Sequence, residues 1–232
     1  RLKINNVLNK LINFWVYISE KKLITGINST VICFSKKDSE ILKEKYGVES
    51  KKVDFYIEEN IKKTEIDLIE DYYCFYGAWG RKENLESLEW FEKNVETKLN
   101  IKIKIIGGGI KEEYRNILIN KGFEVLGFVE NPYEILAKSR GLIAPLFSGA
   151  GVKVKVIEAL ACGVPIIGTE VALEGIELKS ELIFKIEKFS DITDIAEKLD
   201  KIDIEDKKKL KDYFIGEYSK KRFVDIIKGD IL

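Results

Sequence analysis

No histidine and no methionine occur among the 232 residues. The missing histidine excludes Ser-His-Asp nucleophilic catalysis, histidine-ligated metals and imidazole acid–base chemistry. Cysteine is scarce: Cys33, Cys74 and Cys162 are too few and too scattered for a disulfide framework or a zinc site, which points to a reducing, cytoplasmic setting. Charge of one sign is lacking as well, because 39 Lys+Arg cancel 39 Asp+Glu. No net field therefore recruits nucleic acid as a partner. No apolar run is long enough to span a bilayer, and no charged–apolar–small leader opens the sequence. An Arg at position 1 is not a natural start, so an N-terminal part is expected to be missing.

What is present is globular. A hydrophobic fraction of 45% and a charged fraction of 34% fit one large or two small domains with a real core. From Leu2 to Lys22 the residues Ile4, Val7, Leu8, Leu11, Trp15 and Ile18 recur at helical spacing, with Lys3, Asn6, Lys10 and Asn13 off the stripe. The preferred reading is a helix packed on a domain. The alternative is a peripheral contact with the cytoplasmic face of a membrane, anchored by Phe14, Trp15 and Tyr17. Thr30–Phe34 reads as a buried strand, Ser35 as the cap of a helix over Lys36–Lys45 that stops at Gly47, and Lys52–Ile57 as a second extended run. The charged stretch Glu58–Asp67 is the candidate linker.

From Tyr72 the rhythm becomes regular. Strands are expected at Tyr72–Tyr76, Ile101–Ile106, Glu124–Phe128, Gly141–Leu146, Val164–Ile167 and Leu182–Ile186. Helices are expected at Glu83–Leu99, Glu112–Asn120, Pro132–Lys138 and Val152–Ala161, and three more at Ile192–Ile202, Ile204–Tyr218 and Lys221–Ile227. Apolar strands alternating with helices predict a Rossmann-like α/β domain, a parallel sheet with helices on both faces.

Ligands of such sheets sit beyond the carboxyl ends of the strands, where Gly77, Gly107–Gly109, Gly149 and Gly151 fall. No GxGxxG fingerprint is complete, so a dinucleotide cofactor is not supported, and Gly107–Gly109 reads equally as a tight turn or a ligand contact. The loop Phe147–Gly151 runs into Val152, Lys153, Val154, Lys155 and, three residues on, Glu158. Free N–H groups at a helix start cleared by glycines make an anion site. Lysines in a first turn oppose the helix dipole unless an anion joins them. Gly151, Lys155, Glu158 and Cys162 would share one face. Lys155 and Glu158 could simply pair at i, i+3. The favoured reading is a ligand with phosphates near Lys155 and hydroxyls near Glu158. Lys153 is divided between ligand and solvent, and Cys162 is a small packing residue.

The segment Gly149-Ala-Gly-Val-Lys-Val-Lys-Val-Ile-Glu-Ala-Leu-Ala-Cys-Gly-Val-Pro165 closely resembles the signature of family 4 (group 1) retaining glycosyltransferases. Phe75–Asn84, Leu88–Phe91, Gly127–Glu130, Ala144–Leu146, Gly168-Thr169, Glu174-Gly175, Val31–Asp38 and the closing stretch Tyr218–Ile227 are similar to further family segments, so the likeness covers nearly the whole chain. It implies the C-terminal half of a GT-B fold, binding a nucleotide-sugar without a metal or other cofactor. By resemblance Glu158 holds the ribose hydroxyls, Lys155 faces the diphosphate together with Gly149, Ala150, Gly151, Val152 and Arg81, and Phe128 and Val129 meet the base. Gly77, Gly107 and Thr169 are expected in the cleft loops beside the sugar. Ala150 replaces the family's first glutamate, Arg81-Lys82 only approximate its Arg and Lys after the first strand, and Glu58-Glu59-Asn60 replaces its interdomain Pro-Asn-Gly. The catalytic group is not identified.

The expected organisation is residues 1–60 as a remnant of the acceptor-side domain, 61–215 as the donor-binding domain and 216–232 as a crossover helix. The implied activity is sugar transfer in polysaccharide biosynthesis, to a glycan or lipid-linked saccharide, with retention of configuration. It would need the missing N-terminal domain in the same polypeptide or from a partner chain. The alternatives are a non-catalytic nucleotide-sugar-binding or partner-binding module and a GT-B sugar-nucleotide epimerase.

Overall fold

The computed structural model describes residues 2–26, 30–57, 59–95, 101–177 and 179–231. Two compact units emerge, residues 1–54 with 226–232, and residues 55–225.

The smaller unit opens with helix α1 (Leu2–Thr25). Ser35 accepts from the Asp38 amide and starts α2 (Lys36–Tyr46), and Gly47, at φ 70°, ends it in the left-handed region that glycine adopts without a Cβ penalty. Strands β1 (Val31–Cys33) and β2 (Ser50–Lys52) pair in parallel, so the second extended run begins two residues earlier than expected and is regular only to Lys52. The expectation that the α1 stripe is buried is overturned where it can be judged. Leu8, Leu11, Trp15 and Ile18 are exposed; the side chains of Ile4 and Val7 lie outside those described. The helix instead docks by another edge, where Tyr17 stacks on Tyr46 at 5.5 Å and Glu20 accepts from the Tyr46 hydroxyl. No described helix is long and apolar enough to cross a membrane.

The larger unit is built on six parallel strands: β3 (Tyr73–Tyr76), β4 (Ile103–Ile106), β5 (Glu124–Gly127), β6 (Gly141–Ala144), β7 (Ile166–Gly168) and β8 (Ile183–Lys185). Their order is β5-β4-β3-β6-β7-β8. Because the central strands are covered on both faces, they read as unbroken apolar runs, and two core clusters lie one on each side. One gathers α7 (Val154–Ala161) and α9 (Ile204–Glu217) against the sheet; the other gathers α4 (Lys82–Asn94) and α8 (Phe189–Leu199). The remaining helices are α3 (Glu59–Lys62), α5 (Glu112–Asn120) and α6 (Tyr133–Lys138), with α10 (Lys220–Ile231) divided between the units at Asp225.

Several boundaries differ from the sequence reading for identifiable reasons. Helix α4 ends at Asn94, and the expected extension to Leu99 falls outside the described residues. Helix α8 begins three residues early because the Asp191 carboxylate accepts from the Glu187 and Lys188 amides. Helix α7 begins two residues late, since Gly151 sits at φ 69° and Lys153 is extended at the N-cap. The charged stretch taken as a linker carries α3 and buries Ile61 and Ile66 in the core, although Glu58 itself is outside the described residues.

Candidate functional site

Strand order reverses beside β3: the chain goes from β3 outward to β4 and β5, then returns to β6 on the other side. At this switch point the loops that follow the strands separate and leave a crevice. A cleft of about 710 Å³ opens there. Its wall runs from Tyr76 at the end of β3 and Gly77 after it, through Gly107 after β4 and Val129 after β5, to Gly149 and Glu158 in the β6–α7 segment.

Of the residues expected to act, Gly77, Arg81, Gly107, Phe128, Val129, Gly149, Ala150, Val152, Lys155 and Glu158 all line this cleft. Gly151 and Thr169 do not. The Thr169 hydroxyl instead donates to the Leu146 carbonyl and braces the β6 loop from behind. Gly151 contributes its carbonyl, which accepts from the Lys153 ammonium. Lys153 also lies 3.5 Å from Glu174, both side chains being about nine-tenths hidden (11% and 10% exposed). That lysine is not a solvent residue: it lines the cleft and ties the glycine loop to the segment after β7.

Gly107 makes a tight turn and lines the cleft as well. It adopts φ 119°, and a Cβ there would lie 1.9 Å from the Gly77 carbonyl oxygen. Gly109, at φ 103°, would meet the Gly80 nitrogen at 2.6 Å. These glycines let the β3 and β4 loops cross backbone to backbone, joined by the Trp79 amide to the Gly108 carbonyl at 2.9 Å. Their first duty is the shape of the crevice.

Two helix N-termini point into the cleft, those of α4 and α7. Their N-cap residues are Arg81 and Lys153, and neither supplies a side-chain cap. Neither side chain has a lone pair to offer, so the first two amides of each helix lack a side-chain cap, while those of Asn84 and Val156 already donate to the Arg81 and Lys153 carbonyls. Phe128 stands 83% exposed at the rim, a flat apolar face beside Val129 and Gly108.

Lys155 and Glu158 share one face of α7 as their spacing requires, but no ion pair joins them. The Lys155 ammonium donates to Asn84 Oδ1 at 2.7 Å. Tyr133 donates to Glu158 Oε1 at 3.1 Å, and the Tyr76 phenol lies close enough to favour the same carboxylate. Neutral groups therefore hold both charges. Burial pushes the Lys155 ammonium down to about 8, partly countered by the Glu83 carboxylate and reinforced by Lys153. Burial raises Glu158 from the usual carboxylate range while the two phenols draw it back. Cys162, wholly buried one turn further on, is an inert packing residue whose thiol burial lifts to about 12.

Asn84, Tyr76 and Tyr133 were not read as site residues from the sequence. Asn84 was visible only as one end of a family-like segment. Tyr133 is the first residue of a short helix from a different βα unit, and no local spacing relates it to Glu158. Among the described residues no group of three or more His, Cys, Asp or Glu is placed to hold a metal ion.

The family description Glycosyl transferases group 1 matches residues 70–202, more than half of the chain and the whole of the cleft-bearing sheet. Among solved structures, a variant of S. aureus TarM in complex with Fondaparinux, alpha-GlcNAc-glycerol and UDP aligns with a TM-score of 0.72 at 16% identity, covering 90% of this chain and 45% of that one. The pneumococcal O-GlcNAc transferase GtfA, in complex with UDP and GlcNAc, gives 0.62 at 16% identity over 85% of this chain and 44% of that one. HepE from Anabaena, in complex with UDP, gives 0.68 at 11% identity over 90% and 64%. At these identities the likeness fixes the fold, the doubly covered parallel sheet of GT-B glycosyltransferases. The chain spans less than half the length of the first two. No curated protein matches it significantly in sequence.

Proposed function

The chain belongs to the group 1 glycosyl transferases, and from that premise we propose that its cleft holds a nucleotide-sugar donor by the diphosphate. The observation that carries this reading is the Lys155 ammonium. It is largely desolvated, lines the cleft between two uncapped helix N-termini, and has an amide rather than a carboxylate as its partner. A desolvated cation held by a neutral amide and not by an ion pair is costly. An anion in the cleft relieves that cost, and open amides at helix starts suit phosphate oxygens.

The remaining assignments follow the geometry outward. Glu158, aimed by its two tyrosines, accepts from the ribose hydroxyls. Phe128 and the backbone at Val129 take the base, and Gly149, Ala150, Val152 and Arg81 surround the diphosphate. The loop at Gly77 and Gly107 faces the sugar. We assign the chain to the family 4 retaining type on the Gly149–Pro165 signature, as a hexosyltransferase-like donor half that needs no metal. Residues 61–215 would form the donor-binding domain, 1–60 a remnant of the acceptor-side domain and 216–232 the crossover helix. A glycan or lipid-linked acceptor would be presented by a facing domain, in the same polypeptide or a partner chain. The setting is cytoplasmic, in keeping with three free buried cysteines.

Titration calorimetry with UDP, GDP, dTDP and ADP, each with and without EDTA, tests the reading. UDP comes first because the three solved relatives above were all crystallised with it. Metal-independent binding of at least one diphosphate is expected. Binding of none removes the donor assignment, and loss on chelation removes the metal-free part alone.

A further inference from the structure

Lys155 meets Asn84 where both line the cleft. Asn84 lies in the first turn of α4, 7% exposed, and is held at both ends of its amide. Its Nδ2 donates to the Ala78 carbonyl at 2.9 Å, and its Oδ1 accepts from the Lys155 ammonium at 2.7 Å. The orientation of the amide is forced by these partners, since a carbonyl has nothing to donate and an ammonium nothing to accept with. Gly77 makes room for the arrangement. A Cβ at that position would stand 3.0 Å from Asn84 Nδ2 and 3.6 Å from the Lys155 nitrogen.

The chemistry of the partner matters more than its position. A carboxylate in the same place would fix the ammonium equally well and cancel its charge. An amide fixes it and leaves the charge whole. Glu83, the adjacent residue, lines the cleft and acts on Lys155 through space without forming an ion pair with it. We infer that Asn84 is the positioning residue of the anion contact, holding the Lys155 ammonium at the cleft through a neutral amide so that its charge is spent on a bound phosphate. This rests on the diphosphate reading of the cleft. It adds that the pairing Asn84–Lys155, and not Lys155 alone, sets phosphate affinity.

The isosteric change Asn84→Asp separates the roles. A purely structural Asn84 would lose one hydrogen bond in this variant and gain an ion pair, with phosphate affinity following stability. A positioning Asn84 would give a folded protein whose affinity for inorganic pyrophosphate, and for whichever of UDP, GDP, dTDP or ADP binds wild type best, falls about tenfold or more. Affinity for the parent nucleoside would stay unchanged. The pH profile supplies a second readout. In wild type the diphosphate affinity falls as pH rises through about 8, where Lys155 loses its proton under burial, Glu83 on the same helix as Asn84 and Lys153 before α7 being the other charges that face it. In Asn84→Asp that fall moves to higher pH, because the new carboxylate holds the proton on. Should Asn84→Asp fail to fold, Asn84→Ala carries the test, with the diphosphate weakened and the nucleoside not. If Lys155→Ala weakens the diphosphate but both Asn84 variants bind it as wild type does, the positioning role is wrong and the site reading stands. If wild type binds no diphosphate, or Lys155→Ala changes nothing, the site reading itself fails and takes this inference with it.

Discussion

Lys155 on α7 and Lys207 on α9 sit on helices packed together, both withdrawn from water, and they answer pH in different ways. Lys155 faces a cleft that an anion can enter. Lys155→Ala should lower diphosphate affinity by about tenfold or more with a bare nucleoside unaffected, as calorimetry on the pair would read. Glu158→Gln should instead weaken ribonucleotides more than their 2′,3′-dideoxy analogues. Equal loss for both sugars would remove the ribose assignment. Lys207 is fully buried and donates to the carbonyls of Ala137 and Ser139 at the end of α6. Burial brings it down to about 7 from an ordinary 10.5. The unfolded chain then binds the proton more readily than the folded one, so this group's contribution to stability falls as pH drops from 10.5 towards 7 and is constant below. Between pH 7 and about 8.5, before unfolded-state thiols titrate, stability should rise by up to about 1 kcal/mol per pH unit. Urea titrations at both ends of that window should show the rise in wild type, and Lys207→Met should make it shallower, the remainder coming from Lys155, which burial also lowers.

At the scale of elements, the cleft depends on where loops cross and where helices start. Gly107 is the tightest of these points, positive in φ and 1.9 Å from a carbonyl if given a Cβ. Gly107→Ala should cost about 2–4 kcal/mol in urea denaturation and weaken diphosphate binding with it, because the β3 and β4 loops must part to admit the methyl. A stable variant that loses only affinity would mean the glycine serves the ligand directly. The delayed start of α7 has the same kind of consequence. With Lys153 at the N-cap and not inside the first turn, Lys155 becomes the lysine that reaches the cleft from within the helix, while Lys153 turns back to Gly151 and Glu174.

At the scale of the whole molecule, the larger unit carries the cleft proposed for the donor, and the smaller unit, among the described residues, holds a two-stranded sheet, α1, α2 and the end of α10. Sugar transfer requires an acceptor aligned against the anomeric carbon, and that alignment supplies much of the barrier reduction. The purified chain should therefore bind donor without transferring sugar at an enzymatic rate. A donor-consumption assay over a panel of nucleotide sugars and acceptor extracts should show slow hydrolysis at most. Saturable glycosylation that disappears in Lys155→Ala would mean that these residues already contain an acceptor site.

The sequence by itself determined the parallel sheet, the glycines at its strand ends and the Lys155–Glu158 face of α7. All three follow from period and local chemistry: doubly buried strands are continuous apolar runs, tight strand-end turns need residues without Cβ, and residues three apart on a helix must share a side. It could not determine what those charges would touch. Asn84, Tyr76 and Tyr133 reach the cleft from α4, β3 and α6, brought beside α7 only when β3 and β6 become neighbours in the sheet. The choice between a structural ion pair and two charges each held by neutral partners was therefore made by the sheet order, because a side chain pairs with whatever the fold places within about 3 Å of it and not with its nearest neighbour along the chain.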